Sequence, residues 1–172
     1  NPAFPTSSPW VTSDGGTYIY NNTNLNKSTS SICKQYQCVQ NGLEHNTNMD
    51  TVGWTAGGGF SDYFPRPKWQ DKVADEYLSS PVAKPNETMY NKNGRIYPDV
   101  SLVAHNYLVV NTQNIMTVDG TSASSPAFSG MISRLNSLRK SLGKPLLGAV
   151  NQLLYTMYSD CENCFVDVTI GS

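Results

Sequence analysis

Residues 119–142 read Asp119-Gly120-Thr121-Ser122-Ala123-Ser124-Ser125-Pro126-Ala127-Phe128-Ser129-Gly130-Met131-Ile132-Ser133-Arg134-Leu135-Asn136-Ser137-Leu138-Arg139-Lys140-Ser141-Leu142. Phe128, Met131, Ile132, Leu135, Leu138 and Leu142 recur at helical spacing, which predicts an amphipathic helix. Small residues and Pro126 fit its first turn, and Gly143 and Pro145 follow in the usual stopping order. Upstream, Val100–Ala104 and Tyr107–Val110 are apolar, partly β-branched runs separated by His105-Asn106. They read as two strands, with their mutual pairing left open. Strands that alternate with helices of this length predict an α/β fold built on a parallel sheet.

The strand-to-helix junction is where chemistry would sit. Unpaired backbone N–H groups and the helix dipole favour negative charge at a helix N-terminus. A serine nucleophile needs such a place, because its tetrahedral intermediate carries an oxyanion. In Gly120-Thr121-Ser122-Ala123, the glycine permits a tight turn and the alanine leaves room for a substrate carbonyl. Ordinary helix capping by Thr121, Ser122, Ser124 or Ser125 is the alternative.

Working outward, Pro-rich residues 1–20 predict a short strand at Trp10–Thr12, stopped by Gly15-Gly16, and another at Thr17–Tyr20. From Asn21 to about Asp50 the chain is polar and Asn-rich, as a loop excursion would be. Gly57-Gly58-Gly59 marks unusual dihedrals or a close approach, either as a cleft wall or as a structural turn. A helix is expected over Trp69–Leu78, with Trp69 and Tyr77 in the core. A last helix should bury Leu146, Leu147, Val150, Leu153, Leu154 and Met157. Asp99 is read as ordering a strand start. His45 and His105 are read as surface or structural residues, and Asp14 and Asp119 as solvated or hydrogen-bonded loop acids.

Composition narrows the function. Lys plus Arg is 12 and Asp plus Glu is 13, for a net charge of −1 over 172 residues. That excludes an electrostatic nucleic-acid binder. No run approaches the ~20 apolar residues of a membrane span. Residues 1–5 lack the charged and apolar regions of a signal peptide, and the chain does not begin with Met, so a piece of a longer protein is expected.

Asn21, Asn26 and Asn86 head Asn-x-Ser/Thr sequons, which point to the secretory pathway. In that compartment Cys33, Cys38, Cys161 and Cys164 are expected as disulfides rather than as a zinc site. Their pairing is left open.

The Gly-Thr-Ser turn, continuing Ala123-Ser124-Ser125-Pro126, resembles the sedolisins, the serine-carboxyl peptidases. Phe4–Thr12 with Gly15-Gly16-Thr17, Gly57–Ser61, Phe64–Pro67, Gly94–Val100, Tyr107–Val110 and Phe165–Thr169 extend the likeness in order. It spans nearly all of the chain except the excursion and is nearest to the family's tripeptide-releasing branch.

The resemblance implies a subtilisin-like, doubly wound, mostly parallel sheet. Residues 1–172 would be the C-terminal part of one peptidase domain. It further implies Ser122 as nucleophile, Gly57, Gly58, Gly59, Gly120 and Thr121 along the substrate cleft, and Asp167 (carboxylate) with Val168 (carbonyl) as two calcium ligands. The general-base glutamate, its partner aspartate and the oxyanion aspartate would come from the N-terminal remainder of the domain. The substrate would be a polypeptide, met in a lysosomal or other acidic secretory compartment or outside the cell. A histidine base is largely protonated in acid, whereas a carboxylate still accepts a proton there. A sedolisin-type endopeptidase, a histidine-dependent subtilase and an inactive pseudoprotease serving as a binding module are the alternatives.

Overall fold

The computed structural model describes residues 4–20, 42–161 and 163–171. Its three-stranded sheet has the order β2–β1–β5. β1 (Asp14–Tyr20) runs parallel to β5 (Val100–Val103), with Asp14 opposite Val100 and Thr17 opposite Val103. β2 (Leu43–Asn46) lies antiparallel on its other edge, inside what the sequence predicts as a loop excursion. The expected strand at Trp10–Thr12 is turn and bend instead, and β1 runs straight through the two glycines expected to stop it.

Close packing is the reason. A Cβ on Gly15 would lie 2.5 Å from Ser101 Oγ, and one on Gly16 would lie 3.0 Å from both Ala104 Cβ and the Trp54 ring. The glycines let neighbouring layers reach the strand backbone.

After a short helix α1 (Met49–Val52) come β3 (Gly59–Pro65) and its antiparallel partner β4 (Gly94–Tyr97). Between them, Lys68–Gln70 forms a 3-10 turn that leads into helix α2 (Asp71–Ser79). Here Ala74 is buried, while Tyr77, expected in the core, is exposed and Trp69 is only half-buried.

The two runs read as candidate partners do not pair. β5 joins β1, whereas β6 (Tyr107–Asn111) forms a hairpin with β7 (Asn114–Val118). Among the described residues, parallel pairing is confined to β1 and β5. The described chain is therefore α/β in content, with a small mixed sheet.

Helix α3 (Thr121–Ser141) forms where its periodicity places it, but Pro126 sits inside it rather than in the first turn. Lacking an N–H, Pro126 cannot donate to the carbonyl of Ser122. Only Ala123 and Ser124 of α3 are buried, and Met131, Leu135, Leu138 and the flanking Leu142 are exposed. Helix α4 (Asn151–Asp160) starts later than its apolar run and buries Asn151 and Tyr155, leaving Leu146, Leu153 and Met157 exposed.

The buried apolar residues are Ala74, Ala104, Ala123, Val150 and Tyr155, while the largest fully buried side chains begin with Arg95 and Gln70. Apolar burial contributes roughly 25 cal/mol per Å². So small a dry core leaves much apolar side-chain surface of α3 and α4 exposed among the described residues.

Polar bonding supplies the interior. Arg95 and Asp99 have no exposed side-chain surface and meet through the guanidinium at 2.5 Å. Arg95 also donates to the carbonyls of Ser8, Val11 and Ile96. Asp99 accepts from Ser13 N–H (2.8 Å), Tyr155 O–H (2.8 Å) and Gln70 Nε2 (3.3 Å). This ties Ser8–Ser13, β4, the 3-10 turn and α4 together. Burial and the adjoining Asp99 carboxylate push the Tyr155 phenol well above its usual range, so it stays a donor. Asp99 thus orders the start of β5, as expected.

Candidate active site

Gly120 makes the turn from β7 into α3 with φ 122°, a conformation that favours glycine. Its N–H donates to Ala104 O at 2.8 Å, so the turn hangs from the end of β5. Ala123 N–H folds back to Gly120 O at 2.9 Å. Ser124, fully buried, donates to Gly15 O at 3.1 Å and Thr121 O at 3.2 Å, pinning α3 to β1. Of the serines in the turn, Ser124 is therefore structural.

Ser122 differs. It is the second residue of α3 and exposed, and its hydroxyl has no hydrogen-bond partner among the described residues. The first amides of the helix, at Thr121 and Ser122, have no carbonyl within the helix to bond. An open hydroxyl beside unpaired donors is what acyl transfer to serine requires.

The described residues place no base on it. Asp119, exposed, accepts from Asn106 N–H at 2.7 Å, as a hydrogen-bonded loop acid would. His105 Nδ1 lies 3.0 Å from the same Asp119 oxygen, but its Nε2 faces Asn106 Nδ2 at 3.1 Å rather than Ser122. His45 is buried on β2, stacked on Tyr20 and edge-on to Tyr18, which makes it structural and not superficial.

Asp14 corrects the expectation of a solvated or hydrogen-bonded loop acid. It is the first residue of β1, and both its carboxylate oxygens are buried without a hydrogen-bond partner. Burial pushes its carboxyl up to about 6, against a weaker opposing pull from the nearby Ser124 hydroxyl. That hydroxyl is itself committed to Gly15 O and Thr121 O.

Gly57, Gly58 and Gly59 precede and open β3, and Gly58 packs against the carbonyl of Tyr97. No hydrogen bond, ion pair or ring contact among the described residues joins them to Ser122. The hollow of about 480 Å³ at the Asn86 turn and the one of about 380 Å³ beside Tyr158 have no lining residue in common with the turn at Ser122.

Asp167 is exposed, close enough to Tyr158 to help Glu76 raise that phenol, and Val168 follows it in irregular chain. The described residues contain no group of three or more His, Cys, Asp or Glu that could hold a metal. Calcium takes six to eight oxygens, so Asp167 and Val168 alone do not form its site.

Asn86 is exposed and caps a 3-10 turn (Glu87–Met89), its Oδ1 accepting from Thr88 N–H and Oγ1. Asn21, Asn26, Cys33 and Cys38 lie outside the described residues. Cys161 and Cys164 form a disulfide at the end of α4. No helix among the described residues is long and apolar enough to cross a membrane.

The relatives can now be set beside this geometry. No family model matches the chain. Physarolisin of Physarum polycephalum is 39% identical over 171 residues, covering 98% of this chain and 30% of its own length. Tripeptidyl-peptidase 1 of Bos taurus is 38% identical over 155 residues, 90% of this chain and 24% of its own. The human tripeptidyl-peptidase 1 is 37% identical over 158 residues, 91% of this chain and 24% of its own. This chain belongs to the sedolisin family. As a sedolisin it spans about a quarter to a third of the length of the curated relatives it matches.

What sequence reasoning missed near the turn of this sedolisin is the pairing of His105 with Asp119. The residues are 14 apart and meet only because a hairpin intervenes. The β-branched run at Tyr107–Val110 announced one strand of that hairpin, and nothing announced the other.

Proposed function

We propose that the chain carries the nucleophile of an acid-acting serine-carboxyl peptidase, and that Ser122 forms the acyl-enzyme. The observation that carries this reading is the exposed, unpartnered hydroxyl of Ser122 at the head of α3, in a sedolisin chain. Ser122 Oγ attacks the substrate carbonyl, its proton passes to a carboxylate supplied from outside this chain, and the amine leaves with a proton returned to it. Water then hydrolyses the ester by the same path. The amides that open α3 face the developing charge.

The glutamate, its partner aspartate and the oxyanion aspartate come from the N-terminal remainder of the domain. The exposed apolar faces of α3 and α4 support such a cover. With that remainder, the chain completes a doubly wound, subtilisin-like sheet. Gly57, Gly58, Gly59, Gly120 and Thr121 border the cleft. The substrate is a polypeptide, from whose free N-terminus tripeptides are released, in a lysosomal or other acidic secretory compartment or outside the cell.

Calcium, bound at Asp167 and Val168 with ligands from outside the chain, serves structure and takes no part in the reaction. Calcium removal from the full-length protein then lowers its melting temperature, and Asp167→Ala abolishes that response. Glycans are expected on Asn21, Asn26 and Asn86, read as a mass loss on enzymatic deglycosylation.

The test is a pH–rate profile of the full-length protein on a peptide with a free N-terminus, the same peptide blocked, and an internally cleaved one. Acid-limited release of tripeptides from the unblocked peptide supports the reading. Cleavage of the internal site indicates an endopeptidase, a neutral optimum a histidine-dependent subtilase, and no turnover a pseudoprotease.

A further inference from the structure

We propose that His105 and Asp119 form a clasp across the neck of the β6–β7 hairpin that positions the turn bearing Ser122. Both are then positioning residues for the reaction of that serine. The inference rests on the serine-nucleophile reading above.

The topology places the neck. β5 ends at Val103, the chain leaves through Ala104, His105 and Asn106, runs out along β6 and back along β7, and returns at Asp119. Among the described residues β6 and β7 pair only with each other, and β7 is mostly exposed. A two-stranded hairpin is marginal alone, so something has to hold its base.

Three contacts do so. Gly120 N–H reaches Ala104 O at 2.8 Å, Asn106 N–H reaches Asp119 Oδ1 at 2.7 Å, and His105 Nδ1 stands 3.0 Å from that same oxygen. His105 Nδ1 is sealed from solvent and makes no hydrogen bond, so it meets Asp119 as an ion pair when the imidazole is protonated. Between Asp119 and Ser122 lie only Gly120 and Thr121. Gly120 is held at both of its backbone groups, its N–H on Ala104 O at 2.8 Å and its carbonyl by Ala123 N–H at 2.9 Å. A shift at Asp119 therefore arrives at Ser122, and a misplacement of about 1 Å in a catalytic group can cost about a hundredfold in rate.

The imidazole is wedged between the neck and the sheet. Asp119 faces Nδ1, the Tyr18 ring on β1 stands edge-on at 6.5 Å, and His45 on β2 lies behind Tyr18, 3.4 Å from its hydroxyl. Asp119 is the acid in direct contact.

The test follows modification of Ser122 by a fluorophosphonate in the full-length protein at acid pH. The variants are His105→Gln, Asp119→Asn, their double, and the exchange His105→Asp with Asp119→His. Each single variant should slow labelling about tenfold. The double should be no slower than either single, and the exchange should regain most of the rate. Wild-type rates in both single variants overturn the proposal, and so do losses that add in the double.

Amide hydrogen exchange at Asn106 and Gly120 is read in parallel, in wild type and Asp119→Ala. Faster exchange in the variant supports the clasp, and unchanged exchange overturns it. That reading stands even where wild-type Ser122 resists the probe, an outcome that sinks the serine reading by itself.

Discussion

The buried network around Asp99 and the turn at Ser122 are both polar, and they are built in opposite ways. Around Asp99 each oxygen of a fully buried carboxylate is used, by Arg95, Ser13, Tyr155 and Gln70. At the turn, the Ser122 hydroxyl has no partner, and the nearby Asp14 has two buried oxygens without one. A satisfied network fixes a fold, because every alternative strands a buried donor or acceptor. An unsatisfied group keeps its bonding capacity for something else. In this molecule the first kind joins Ser8–Ser13, β4 and α4, and the second lies at the β1–α3 layer, where the proposed chemistry occurs.

The contrast can be broken most forcefully at Asp99. Asp99→Ala leaves the Arg95 guanidinium buried with no counter-charge and should destabilise the full-length protein by about 3–5 kcal/mol, read by urea unfolding. Tyr155→Phe removes one donor to Asp99 and one acceptor for Gln70, and should cost about 1–3 kcal/mol in the same measurement.

Asp14 sharpens the other side. Its carboxyl is raised from the usual 3.8 to about 6 by burial, so the folded state prefers it neutral. As pH climbs from about 4 to about 6, the unfolded chain ionises this group first and folding stability falls, levelling off above. Allowing for solvent screening at a half-buried position, the loss is about 1–2 kcal/mol. Asp14→Asn should flatten that part of the pH–stability curve, and an unchanged slope would mean that a group from outside the chain pairs with Asp14.

The smallest effect is expected at the surface, where Arg66 meets the exposed Asp71 and Asp75 at 3.0 and 3.4 Å. Asp75→Ala should shift stability by less than about 1 kcal/mol.

Much of this was legible beforehand, for physical reasons that can be named. Helix α3 has an apolar repeat and a clean stop at Gly143 and Pro145, both local signals. The turn at Gly120 was readable because glycine there has a conformational purpose. β1 was misread because Gly15 and Gly16 look like breakers until Pro98, Ser101, Ala104 and Trp54 are seen pressing on them.

β7 was hidden for a different reason. Two-residue hairpin turns usually carry Asn-Gly or Asp-Gly. This one turns at Thr112-Gln113, with Thr112 itself at φ 59°. With β7 unseen, His105 and Asp119 had no reason to be neighbours. The burial of Asp14 and His45 was equally invisible, because it depends on what packs across the sheet and not on sequence spacing.

The central claim is that Ser122 is the reacting group. The direct measurement is peptide mass spectrometry of the full-length protein after reaction with a fluorophosphonate at acid pH. The account predicts one adduct, on Ser122, formed in step with loss of peptidase activity and absent from Ser122→Ala. An adduct on another serine, or activity retained in Ser122→Ala, would contradict it.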